Sequence, residues 1–228
     1  MDRIKKIFKS IGIIFLLLLF SSIFFAFFNI NPDSISDKKY VLYFTCSNFI
    51  LLGIFVWIYR KTLINDAKSF FGNFNKNIDI SLKYWVIGFA VMYVSNLFIT
   101  FVLNKTIAGN EEAVRNYIDI LPLFMIFDTV IYAPIAEELA FRKSIKDAIS
   151  NKWLYVIISG ALFGMLHIIN YIEVISDLIY LIPYGALGIS FALLYYKTDN
   201  IFSTITMHAM HNFMAIVIYL MGAIIWKR

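Results

Sequence analysis

Charge is scarce in this chain. Asp, Glu, Lys and Arg together make up 15% of 228 residues and 61% are hydrophobic, whereas a soluble domain is about a quarter charged and half apolar. A soluble domain is therefore excluded, and the chain reads as an integral membrane protein. Cysteine is nearly absent. Cys46 stands alone, so no intramolecular disulfide can form, and its apolar surroundings suggest a small buried hydrophobe. Several hydrolase signatures are also missing: no His-Glu-x-x-His helix, no Gly-x-Ser-x-Gly elbow, no Gly-x-Gly-Asp, and no serine beside a histidine in an apolar setting. Nor is there a basic stripe interleaved with aromatics in a polar domain, so the net charge of +5 does not point to nucleic acid.

Long apolar runs are what the chain has in abundance. A membrane span needs about 20 apolar residues, and segments near 10–30, 40–59, 82–103, 120–142, 153–171, 176–196 and 201–226 qualify. That predicts an all-α polytopic bundle of about seven spans, six to eight, the last of which could divide in two. The basic N-terminus and first apolar run resemble a signal peptide. The run is too long, however, and no small-x-small cleavage site precedes Asn31-Pro32, so it is expected to stay as the first span. The stretch from Asp66 to Asp79 mixes aromatic and polar residues and is expected to be an interfacial segment or a loop. No repeat or soluble domain interrupts the pattern. One membrane domain is expected, with variable N-terminal helices over 1–119 and a helical core over 120–228.

Lys and Arg favour cytoplasmic loops. Arg3, Lys5, Lys6 and Lys9 lie at the N-terminus, Arg60, Lys61, Lys68, Lys76 and Lys83 in the second connection, and Arg142, Lys143, Lys146 and Lys152 in the fourth. The third and fifth connections carry Glu111, Glu112, Glu173 and Asp177 instead. The alternation predicts a cytoplasmic N-terminus.

Against this apolar background a few ionisable groups stand out, and such residues inside a bilayer commonly mark a site. The fourth span ends in Glu137, Glu138 and Arg142. On a helix Glu138 and Arg142 are i,i+4 neighbours in the better order for an ion pair, while Glu137 points about 100° away. Arg142 would then fix Glu138, leaving Glu137 to face a wet cavity as a general base; the alternative is a charged helix end at the interface. The fifth span carries Phe163 and His167 on one face, with Gly160 and Gly164 forming a groove suited to close helix approach. Taken alone, His167 reads as a structural hydrogen-bonder. The seventh span brings His208 and Asn212 to one side, an imidazole and an amide suited to stabilise an oxyanion or to make packing hydrogen bonds between helices. With helix ends near Ile149, Leu154 and Ile201, the Glu pair lies roughly 17 Å from the cytoplasmic surface, His167 about 20 Å and His208 about 11 Å, depths compatible with one cavity. Asp128 reads as a structural or supporting carboxylate, His211 as a packing residue, and the acidic run Glu111-Glu112-Ala-Val-Arg115 as loop charge.

Glu-Glu-x-x-x-Arg (137, 138, 142), Phe-x-x-x-His (163, 167) and His-x-x-x-Asn (208, 212), in this order on successive apolar segments, resemble the CPBP family over roughly residues 120–220. That family contains the CAAX prenyl proteases of the Ras-converting type and the bacterial Abi proteins of bacteriocin processing and immunity. The resemblance implies that Glu137 and His167 activate the hydrolytic water, that His208 and Asn212 stabilise the oxyanion, and that Glu138, Arg142 and Phe163 support the site. It implies no cofactor. Zinc held by Glu137, His167 and His208, with His211 nearby, is the less favoured alternative.

The expected function is a glutamate-dependent intramembrane endopeptidase of the cell membrane. Its site would open to the cytoplasm, its partners would be the lipid bilayer and a peptide or membrane-protein substrate, and its setting would be bacteriocin self-immunity or peptide maturation. The alternative from another class is a non-catalytic immunity or scaffold protein that binds a toxin receptor or sensor. The sequence contains no indication of oligomeric state.

Overall fold

The computed structural model describes residues 2–226, with side chains from residue 3 to residue 223. Among the described residues every regular element is helical. Six helices are long and apolar enough to cross a membrane, in α1 (Asp2–Phe27), α2 (Asp37–Gly72), α3 (Phe74–Phe101), α8 (Lys152–Ile168), α9 (Leu181–Thr198) and α10 (Ile201–Trp226). The chain is a multi-pass membrane protein, and the expected helical bundle is what forms.

The segment expected as the fourth span is not one of these six long helices and is not a plain α-helix. Residues 122–148 run as α5 (Pro122–Ile126), a first π segment (Phe127–Tyr132), α6 (Ala133–Glu137), a second π segment (Glu138–Ser144) and α7 (Ile145–Ala148). A π turn bonds each N–H five residues back, is rare, and is frequent at functional sites. This stretch is also the most enclosed in the molecule: Ala136, Glu138, Leu139, Ala140 and Arg142 are fully buried. It packs against α1, α2, α8, α9 and α10, so the other helices wrap a central passage.

Several boundaries moved. The segment from Asp66 to Asp79 is neither loop nor separate interfacial piece, because α2 continues to Gly72 and α3 starts at Phe74 after one break at Asn73. At about 1.5 Å per residue the 36 residues of α2 outrun a hydrocarbon core of about 30 Å, and the surplus is used. Asp66 accepts the Ile201 N–H at 2.9 Å and its carbonyl accepts from Asn200 Nδ2 at 2.8 Å, capping the start of α10. The last span does not divide; α10 is continuous. The expected loop around Glu111 is a short amphipathic helix, α4 (Gly109–Ile120), whose Arg115 pairs with Glu111 at 2.9 Å.

The two-glycine groove predicted on the fifth span is the seam between α8 and α9. A Cβ on Gly188 would lie 2.9 Å from the Gly160 carbonyl oxygen, and one on Gly164 would lie 3.1 Å from the Gly185 nitrogen. With no hydrophobic drive between helices in lipid, such close backbone approach is what holds membrane helices together. On the far side of the bundle, Asp128 is buried and tied to α2: Thr45 Oγ1 donates to Oδ2, and Asn48 Nδ2 donates to Oδ1 at 3.0 Å. Cys46 departs from expectation. It is exposed on the apolar outer surface, in a groove of about 550 Å³ with Phe49, Leu123 and Phe127, because its neighbours Thr45 and Ser47 take the inward positions.

Candidate active site

Two adjacent carboxylates leave the central passage in different directions. Glu138 is fully buried, with Oε1 accepting from His208 Nδ1 at 2.9 Å and Oε2 lying 3.2 Å from Arg142 Nε. The Arg142 N–H groups are not aimed at an acceptor, so the contact is an ion pair by proximity. The guanidinium lies instead over the faces of Phe163, at 4.5 Å, and Phe191, at 5.8 Å. A buried carboxylate is tolerable when paired with a charge and hydrogen-bonded, and Glu138 has both.

Glu137 turns the other way. Its Oε2 is buried without a hydrogen bond from any protein donor, 3.9 Å from His167 Nε2 and 4.0 Å from His208 Nε2. Three groups carried by three segments of the chain therefore face one small volume. His167 comes from the last turn of α8. Its Nδ1 lies 2.8 Å from the Phe163 carbonyl, which can only accept, so Nδ1 carries a proton and donates it. In the neutral ring Nε2 is then a bare acceptor facing Glu137. The ring is sandwiched between Phe163, centroid distance 4.6 Å, and Tyr184 of α9, at 4.8 Å with 23° between planes. His208 is wedged between Phe163 and Phe191, both at 5.5 Å, so Phe163 touches both imidazoles and Arg142. These packed aromatics fix the ring orientations.

Asn212 lies one turn beyond His208 on α10. Its Nδ2 donates to the backbone carbonyl of Thr129, in the first π segment, at 2.7 Å. His211 points elsewhere, edge-on to Phe89 at 6.1 Å. Glu111 pairs with Arg115 at 2.9 Å and Asp177 with Lys105 at 2.6 Å, so neither acid pairs with a motif residue.

Three contacts escaped sequence reasoning: the bond from His208 to Glu138, the stacking of Tyr184 on His167, and the Asn212–Thr129 bond. The first spans 70 residues and the last 83. Tyr184 lies in an apolar run where one more aromatic carries no signal. Among the described residues no group of three or more His, Cys, Asp or Glu side chains is disposed to hold a metal ion.

Comparison with known proteins finds relatives over the same part of the chain. Residues 119–214 match the family model described as type II CAAX prenyl endopeptidase Rce1-like, and this stretch contains every motif residue. Over 189 residues the chain is 28% identical to "Putative membrane peptidase YdiL" of Bacillus subtilis (strain 168), covering 79% of this chain and 70% of that protein. It is 30% identical over 126 residues to "UPF0177 protein YbdI" of Lactococcus lactis subsp. lactis (strain IL1403), covering 52% and 66%. An uncharacterized protein of Mycoplasma capricolum subsp. capricolum is 28% identical over 204 residues, 84% of this chain and 59% of that one. No solved structure matches. The matched stretch and the peptidase relative agree: over residues 119–214 this chain is similar to the CPBP family of membrane proteins, which includes the type II CAAX prenyl endopeptidases.

Proposed function

We propose that this protein is an intramembrane endopeptidase that uses a water activated by Glu137 and His167, with no covalent intermediate. The observation that carries the reading is Glu137 Oε2, buried and unbonded at 3.9 Å and 4.0 Å from two imidazole Nε2 atoms. A water between Glu137 and His167 donates one proton to the carboxylate and the other to the bare Nε2. As its oxygen attacks the scissile carbonyl carbon, Glu137 takes the proton. The tetrahedral oxyanion is met by the imidazole of His208, which Glu138 holds through Nδ1. Glu137 then passes its proton to the amide nitrogen as the carbon–nitrogen bond breaks. General-base catalysis of this kind is worth about 10²–10⁴ in rate. Charge stabilisation in a water-poor site adds more.

Glu138 and Arg142 hold His208 rather than touch substrate, and Phe163 spaces the rings. The loop charges favour a cytoplasmic N-terminus. Peptide maturation or self-immunity against a bacteriocin is the physiological setting we favour. The test compares the membrane peptidome of cells carrying wild type with that of cells carrying Glu137→Gln. Cleavage products present only with wild type, and reproduced by purified protein, are expected. Equal products in both, together with retained protection, would leave a binding role.

A further inference from the structure

The contact made by Asn212 points to a register problem in the central passage. Pro134 has no N–H. In α register the donor at position 134 would serve the Val130 carbonyl, and in π register it would serve the Thr129 carbonyl. Whichever register the passage adopts, one carbonyl is left without its backbone donor, inside a bilayer where no free water replaces it. The structure has the π arrangement: the Ala133 N–H reaches five residues back to the Asp128 carbonyl, so Thr129 is the residue left without a helix partner. Asn212 Nδ2 donates to that carbonyl at 2.7 Å.

We infer that Asn212 is a positioning residue that selects the π register at Thr129 and thereby aims Glu137. A π turn holds one residue more than an α turn. Losing it would rotate everything downstream by about 100°, one residue's worth. Glu137 lies three residues after Pro134, so that rotation would carry Oε2 away from both imidazoles. In the π register the Thr129 carbonyl meets the amide of Asn212. In the α register the carbonyl without a donor would be that of Val130, and the amide would have nothing to cap. One side chain on α10 thus fixes the rotation of the segment bearing the general base, while His208, one turn earlier on the same helix, supplies the group that the base must face. This goes beyond the oxyanion role that the family resemblance gives Asn212. It rests on the peptidase reading only where activity is the readout.

The experiment measures the effect of Asn212→Ala in two backgrounds, natural and Pro134→Ala, which restores an N–H at the Thr129 carbonyl. In the natural background Asn212→Ala should cut the peptide hydrolysis rate at least tenfold, chiefly in kcat, and lower the melting temperature. In the Pro134→Ala background the same change should cost less than threefold and leave the melting temperature in place. Independently, ¹⁵N signals of the His167 and His208 rings in the resting protein should shift in Asn212→Ala. A donor acting only on the oxyanion would leave those resting signals untouched, and would lose the same factor in both backgrounds; either result overturns the inference. If Pro134→Ala itself abolishes hydrolysis, the melting temperatures decide, and equal lowering in both backgrounds overturns it. If wild type hydrolyses no peptide, the peptidase reading fails while melting and ring signals still test the register.

Discussion

His208 Nδ1 donates to Glu138 Oε1 at 2.9 Å, across 70 residues of sequence, and this bond explains why the chain carries two consecutive glutamates. One carboxylate is consumed in holding a histidine and countering an arginine. Only then is its neighbour free of protein donors and able to face both rings.

Glu137→Gln keeps the shape of the side chain and removes its basicity. Hydrolysis should fall by about 10²-fold or more, while the melting temperature stays near wild type, because Oε2 has no protein hydrogen bond to lose. A variant that is both inactive and strongly destabilised would show that Glu137 is structural.

Arg142→Ala should behave in the opposite way. It strands the fully buried Glu138 carboxylate, and breaking one side of a buried pair costs about 3–5 kcal/mol. Equilibrium unfolding in bilayers should register that loss. Arg142→Lys keeps the charge but not the flat group over Phe163 at 4.5 Å, so recovery should be partial.

The seam between α8 and α9 offers a paired comparison. A Cβ at Gly188 would meet the Gly160 carbonyl oxygen at 2.9 Å and its Cα at 3.0 Å, whereas one at Gly185 meets nothing within 4 Å. Gly188→Ala should therefore destabilise by about 1–3 kcal/mol, and Gly185→Ala should be neutral or slightly stabilising, as read by the same unfolding measurement.

Treatment with a strong chelator followed by dialysis should leave hydrolysis intact. Loss of activity that added zinc restores would instead make Glu137, His167 and His208 ligands, since zinc takes nitrogen and carboxylate oxygen donors.

The membrane class and the broad helical layout were legible because lipid demands long apolar runs, and runs are visible in one dimension. The motif residues were legible because charge is costly in that setting: Glu137, Glu138, Arg142, His167 and His208 stood out against their neighbours. The i,i+4 pairing of Glu138 with Arg142 and the glycine seam followed from helical period alone. Other features were hidden for definite reasons. The alternation of α and π turns across 122–148 breaks the 3.6-residue period on which such reading depends. The partner of Asn212 is a backbone carbonyl, which has no letter in the sequence. Cys46 was misjudged because every position in an apolar run looks buried, whether it faces protein or lipid.

The ties from Asp128 to Thr45 and Asn48 bear on how the chain can be cut. A fragment beginning near residue 120 would retain all the motifs yet push a bare carboxylate into hydrocarbon, having discarded the two side chains, Thr45 and Asn48, that donate to it. The early helices are thus the solvent for an acid in the later half. Swapping them between relatives should succeed only where a hydroxyl and an amide return to the same two places.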